Sequence, residues 1–258
     1  MNIYVLLKQI PVISDIKIDH KTFTIDRSNA ANMANPSDLN ALEAALTLKG
    51  ASGGTVTVLT MGNESCEAQL REAAAVGADR FIRISDEAFA GADTLVTAKI
   101  LAAAIRYLGD ADAVFCGQFS LDSATGQIGG KLASLLDFGL LHSACQIDMT
   151  DDCLSIRRKS GGVYEVWQSP LPVVCSFEEG CNKLRPVTLK GKRAAKQAVI
   201  QVLTNNELNL SDEDLVSPSK VEAIFPIQPK ETGFRIQGKD EAESARNLAD
   251  ILFGKILA

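Results

Sequence analysis

The 258-residue chain is poor in the residues that build metal and catalytic centres. It has two histidines, His20 and His142, and its six cysteines include no C-x-x-C pair. That leaves a zinc site without a ligand set. Most of the cysteines (Cys66, Cys116, Cys145, Cys153, Cys175, Cys181) lie in apolar runs, and they read as reduced core residues of a cytoplasmic protein. The apolar run that opens the chain is about five residues long, too short for a signal peptide or a membrane span. Positive charge is not in excess either: 26 Lys and Arg face 32 Asp and Glu, a net charge of −6. This argues against a nucleic acid as partner, because such binding rests on neutralising phosphates. H-E-x-x-H is absent, as are the two commonest phosphate motifs, G-x-G-x-x-G and G-x-x-x-x-G-K-[ST]. His20 reads as a turn residue, and His142 as a structural histidine on a strand. No side-chain catalysis is therefore expected, and any redox chemistry would belong to a cofactor.

What the chain does have is apolar content, 46% of residues, enough for one large domain or a domain with an appendage. The run 2–7 reads as a buried parallel-type strand with Lys8 at its carboxyl end. Residues 16–19 and 22–27 alternate apolar and polar around His20-Lys21, a hairpin signal. Asn35-Pro36-Ser37-Asp38 opens a helix from about Ser37 to Lys49, with Asn35 placed to cap it. Strands then alternate with helices: 55–61, helix 64–76, strand 80–84, a helix capped at Asp93-Thr94 that runs to Leu108, and strand 112–117. This order predicts a mostly parallel, doubly wound, Rossmann-like α/β sheet, with ligands beyond the carboxyl ends of the strands near Lys8, Met61 and Gly117.

The stretch from Phe115 to Gly130 passes from a strand through Gly, Ser and Thr into a helix expected to begin near Thr125 and end at Asp137. Ser120, Asp122, Ser123 and Thr125 are each able to cap it. A strand, a small-residue turn and a helix N-terminus together form an anion site, so a nucleotide phosphate is one reading. An ordinary strand–helix turn that binds nothing is the other. Beyond Leu136 the pattern changes to short strands at 143–149, 153–159, 163–168 and 171–177. These are expected as antiparallel additions to the sheet, with a turn at Gly161-Gly162 and Trp167 packed beneath. Lys183, Arg185, Lys190, Lys192, Arg193 and Lys196 surround Leu189 in a basic loop with one apolar tooth, which suits either an acidic partner or plain solvation. Residues 204–239 read as an extended arm and 240–257 as an amphipathic helix.

Taken in order, Val5-Leu-Leu-Lys-Gln-Ile-Pro11, Lys17-Ile-Asp19 with Arg27, Asn35-Pro-Ser-Asp38, Val58-Leu-Thr-Met-Gly62, Ala75-Val-Gly-Ala-Asp79, Gly91-Ala-Asp-Thr94, Gly117–Gly130, Pro170-Leu-Pro-Val-Val174 and Ser217-Pro-Ser-Lys-Val221 form a series. Over nearly its whole length the chain resembles the β subunit of electron transfer flavoproteins. The resemblance implies a heterodimer with an α subunit that carries FAD, and a dehydrogenase partner such as one of the acyl-CoA dehydrogenase type. It also implies an adenine nucleotide in this chain, either AMP in a structural role or a second FAD that takes hydride from NADH for electron bifurcation. By motif position the nucleotide contacts would be Leu6, Lys8, Asn35, Pro36, Ser37, Asp38 and Met61, then Asp122, Ser123, Ala124, Thr125, Gly126, Gln127, Ile128, Gly129 and Ala133. Leu189, with Lys190, Lys192, Arg193 and Lys196, matches the loop that hooks dehydrogenase partners. The division implied is a nucleotide-binding domain over 1–190, and over 191–258 a recognition loop, arm and helix against the α subunit. The chain departs from the family at Pro11-Val12, at Ser37 where an aromatic is common, and at Asp122-Ser123-Ala124 where Asp-Gly-Asp is common. The rival classes are a stress-protein-like nucleotide-binding module and a scaffold with an empty crevice.

Overall fold

A computed structural model describes residues 1–12, 17–19, 24–26, 31–150, 153–219, 222, 233 and 235–256. The first half alternates as the periodicity predicts. β1 (Asn2–Leu6) is followed by β2 (Gln9–Pro11), β3 (Lys17–Asp19), β4 (Thr24–Asp26) and β5 (Asn32–Ala34). Next come α1 (Pro36–Ser52), β6 (Thr55–Met61), α2 (Glu67–Val76), β7 (Arg80–Ile84), α3 (Thr94–Leu108), β8 (Ala113–Gly117) and α4 (Ile128–Leu136). β3 and β4 pair antiparallel, as the hairpin signal predicts; their turn at His20-Lys21 lies outside the described residues.

The second half is β9 (Gly139–Ala144), β10 (Gln146–Thr150), β11 (Cys153–Ser160), β12 (Val163–Pro170), β13 (Val173–Phe177), α5 (Leu189–Gln197), β14 (Ile200–Leu203), α6 (Asn205–Leu208) and α7 (Asp212–Leu215). Seven strands form one sheet in the order β14-β7-β6-β1-β8-β13-β9. Every pairing in it is parallel. Alternation along β1 sends Ile3 and Val5 into the core under α1 and α2, and Tyr4 and Leu6 into the core under α3 and α4. Both faces are therefore covered, which explains the unbroken apolar runs of the central strands. Phe115 and Phe177 stack across β8 and β13 with centroids 5.0 Å apart.

Three of the late strands are antiparallel, as expected, but they do not join this sheet. β10, β11 and β12 pair with one another as a separate three-stranded sheet. β13 instead returns to the main sheet and inserts, parallel, between β8 and β9. The strand expected over 143–149 is two elements, broken at Cys145, two residues after Ser143 adopts a left-handed φ of 61° near the end of β9. Trp167 lies on the edge strand β12 and is 46% exposed rather than packed beneath a sheet; its ring lies under the Arg158 guanidinium, 4.5 Å away. Within 204–239, the segment expected to be an extended arm begins with the two short helices α6 and α7.

Chain contacts delimit a first compact unit, Met1–Ala223, and a second, Ile224–Ala258. The second contains α8 (Glu241–Ile256), whose first turn is held by the Asp240 carboxylate accepting the Glu243 N–H at 2.7 Å. Leu248, Leu252 and Phe253 on α8 are exposed. No described helix is long and apolar enough to cross a membrane.

Candidate functional site

Connections from β1 lead to β6 and β7 on one side, while β8 lies on the other. The carboxyl ends of β1 and β8 are thus the switch point of the sheet, where open α/β folds bind ligands. One carboxylate ties these ends together. Asp38, in the first turn of α1, accepts the Lys8 N–H at Oδ2 and the Gly117 N–H at Oδ1, both at 2.8 Å. Burial lifts its carboxyl to about 6, against the pull of those two amide bonds. Gly117 is required here, because a Cβ would overlap the Ser37 hydroxyl and Asp38 itself.

Asn35 and Ser37 are buried and already engaged. Asn35 Nδ2 donates to the Phe119 carbonyl at 2.9 Å, its Oδ1 accepts the Leu121 N–H at 3.2 Å, and the Ser37 hydroxyl donates to the Phe119 carbonyl at 2.6 Å. Asn35 occupies the N-cap position of α1 but makes no side-chain cap, correcting the expectation that it would. Its side chain shapes the loop after β8 instead.

That loop turns at Ser120, whose carbonyl accepts the N–H groups of Ser123 and Ala124. Ala124 and Gly126 then adopt left-handed φ values of 51° and 63°. An α-helix cannot run through them, so α4 starts at Ile128, three residues later than the sequence suggests. None of Ser120, Asp122, Ser123 and Thr125 caps it. Gln127 holds the N-cap position without a side-chain capping bond, and the first-turn N–H groups of α4 have no acceptor within the helix. Gly129 lets this turn sit close on the sheet, where a Cβ would stand 3.3 Å from Cys116 Sγ.

These elements enclose a cavity of about 930 Å³. Of the residues singled out by sequence, Leu6, Lys8, Asn35, Asp38, Met61, Ser123, Thr125, Gly126, Gln127 and Ile128 line it. Pro36, Ser37, Asp122, Ala124, Gly129 and Ala133 lie outside the lining: Ser37 and Gly129 are packed beneath it, Ala133 is in the α3–α4 core, and Asp122 reaches it only through Lys8. The wall supplied by α3 was not foreseen. Thr94 and Thr97 form it, with Lys131 of α4 and Ser219 beyond α7 beside them, and Lys131 Nζ donates to the Thr94 hydroxyl at 2.6 Å, which donates to Gln127 Oε1 at 2.9 Å. The signal was present in Asp93-Thr94, a helix start that directly follows a parallel strand and so falls on the ligand edge. Asp93 caps α3 through the Leu95 and Val96 N–H groups, and Ser219 donates to its second oxygen. These bonds, that of Val96 first, hold its carboxyl below the usual range.

The basic segment expected as a loop is the helix α5, capped by Thr188 and packed on α2. Leu189 stands at its start, 80% exposed, with Lys190, Lys192, Arg193 and Lys196 also exposed. His142 lies on β9 with Nδ1 2.8 Å from the Ser176 hydroxyl, and burial, with Arg158 nearby, holds its imidazole below the ordinary value.

The family model of the electron transfer flavoprotein domain matches residues 22–208. Among curated proteins, the electron transfer flavoprotein subunit beta of Thermoanaerobacterium thermosaccharolyticum is 35% identical, over 98% of both chains. The caffeyl-CoA reductase-Etf complex subunit CarD of Acetobacterium woodii is 34% identical, again over 98% of both. Protein FixA of Azorhizobium caulinodans is 33% identical over 97% of this chain and 94% of that protein.

Proposed function

The chain belongs to the electron transfer flavoprotein family as a β-type subunit, and from that premise we propose that its crevice holds an adenine dinucleotide, FAD, in preference to AMP. One observation carries this reading: the cavity of about 930 Å³ at the switch point, walled by an uncapped helix N-terminus. That volume lies near the top of the roughly 300–1,000 Å³ range of small-molecule sites, which leaves room for a dinucleotide. The N-terminal turn of α4 would take a phosphate on its N–H groups, and Lys8 and Lys131 supply cations in the same space. Asn35, Ser37 and Asp38 act behind them, fixing the loop and the two strand ends. A bound flavin supplies hydride and single-electron transfer, which no side chain here provides.

The same reading assigns an α subunit carrying FAD as the partner, NADH as a hydride donor, and a dehydrogenase of the acyl-CoA type as an exchange partner. That last contact is given to Leu189 and the cations of α5, an apolar anchor ringed by charge. The test is to co-express the chain with its α subunit, extract the complex with acid and count nucleotides. Two flavins and no AMP are expected. One flavin with AMP corrects the ligand to a mononucleotide. A single flavin with no further adenine nucleotide overturns the reading.

A further inference from the structure

Among the described residues, Lys8 is the one cation that both lines the crevice and touches the loop after β8 through a charged partner. Its ammonium lies 2.7 Å and 2.8 Å from the two Asp122 oxygens and 3.3 Å from the Ser120 hydroxyl. Asp122 sits at the tip of a tight turn, Ser120 to Ala124, and does not itself line the cavity. Its side chain is nevertheless only 19% exposed, because it folds inward onto Lys8. A carboxylate at the surface with this freedom would ordinarily face water; here it grips the lysine with both oxygens.

We propose that Asp122 is a built-in stand-in for a phosphate: it holds Lys8 while no anion is bound, and an incoming nucleotide phosphate must displace it to gain the same cation. The proposal rests on the nucleotide reading given above. The chemistry favours exchange in that direction. A phosphate brings more charge than a carboxylate and three acceptor oxygens, and it arrives where the α4 N–H groups also need an acceptor. Among the described residues the carboxylate's ionic partner is Lys8, with the Ser120 hydroxyl beside it. Burial would raise the Asp122 carboxyl, but the bonds from Lys8 and Ser120 outweigh it and keep the group below the usual range, so it is ionised and competing at neutral pH. The turn, Ser120 to Ala124, keeps its bond from Leu121 N–H to Asn35 and its own backbone bonds, so the Asp122 side chain can rotate away without unfolding the site. Selectivity follows too. A ligand that lacks phosphate leaves the ion pair intact, while one that carries it opens the pair.

The experiment uses the two-subunit complex, stripped of nucleotide, with AMP and adenosine as probes in titration calorimetry. Asp122→Asn is expected to tighten AMP by roughly three- to tenfold, the scale of a partly exposed ion pair, and to leave adenosine unchanged. Asp122→Ser should behave alike, which covers the case of an amide that misfolds the turn. In a Lys8→Gln background the same substitution should change AMP affinity by less than twofold. If the wild-type complex binds AMP but Asp122→Asn and Asp122→Ser leave it unchanged or weaker, the stand-in role is wrong while the nucleotide site survives. An equal gain for adenosine, or a gain that persists without Lys8, also overturns it, since the phosphate or the lysine is then not involved. If no form of the complex binds AMP, the site reading itself fails, and the stand-in role with it.

Discussion

Asp38 and Gly117 are joined at the floor of the crevice, with the carboxylate of one accepting the backbone N–H of the other at 2.8 Å while its second oxygen takes the Lys8 N–H. The carboxyl ends of two neighbouring parallel strands, β1 and β8, are thereby pinned where the chain leaves each of them. Asp38→Asn keeps one acceptor and turns an N–H₂ toward a buried N–H. It should destabilise the fold by about 1–3 kcal/mol at neutral pH, the usual cost of an orphaned buried donor.

The same substitution has a pH signature. The folded carboxyl titrates near 6, above its unfolded value of 3.8, so the folded state binds the proton more tightly. Asp38 therefore adds stability in acid that fades as pH rises through about 6. Relative to wild type, Asp38→Asn should be more destabilised at pH 4.5 than at pH 7.5, by about 2 kcal/mol given about 1.4 kcal/mol per pH unit of displacement. Urea unfolding of both proteins at the two pH values checks this. A gap that does not change with pH would show that burial does not perturb the group.

Two glycines should respond in opposite senses. At Gly117 a methyl group collides with Ser37 and Asp38, so Gly117→Ala should cost about 1–3 kcal/mol and lower nucleotide content. At Gly130, inside α4, a methyl group meets only Leu140 Cδ2 at 4.0 Å, and Gly130→Ala should stabilise by about 0.5–1 kcal/mol. Thermal melts and extracted-nucleotide counts of the two variants separate the cases.

Leu189 is exposed, and its truncation should change stability by less than about 0.5 kcal/mol. Leu189→Ala is expected to slow electron exchange with the dehydrogenase partner while leaving nucleotide content alone. Gly191→Ala should slow exchange and also lower the melting temperature, because its Cβ runs into the Ala75 carbonyl and lifts α5 off α2. Stopped-flow rates beside melts decide; an unchanged rate in Leu189→Ala would remove this helix from the partner surface.

The parallel sheet was legible because its strands are buried on both faces and read as continuous apolar runs. So was the crevice, since Lys8, Met61 and Gly117 all end strands on the same edge and all line it. The placement of Val173–Phe177 was not legible. Its wholly buried run carries the signature of a central parallel strand, but it follows three antiparallel strands, and nothing local announces a return to the gap between β8 and β9. The start of α4 was misplaced because Ala124 sits in a left-handed conformation that its side chain does not favour, held there by the carbonyl of Ser120. Asn35 carried the right residue type for capping, and tertiary contact with Phe119 redirected it. Trp167 alternated as a buried strand residue would, but it stands on an edge strand, where Arg158 lies over its ring and Glu165 accepts its indole N–H.

The most direct measurement is a crystal structure of the two-subunit complex as purified, read at the first turn of α4. A nucleotide phosphate within hydrogen-bond distance of the N–H groups at Gln127 to Gly129, with its adenine in the crevice between β1 and β8, is the result expected. Solvent or a protein side chain in that place, with the nucleotide elsewhere or absent, would contradict it.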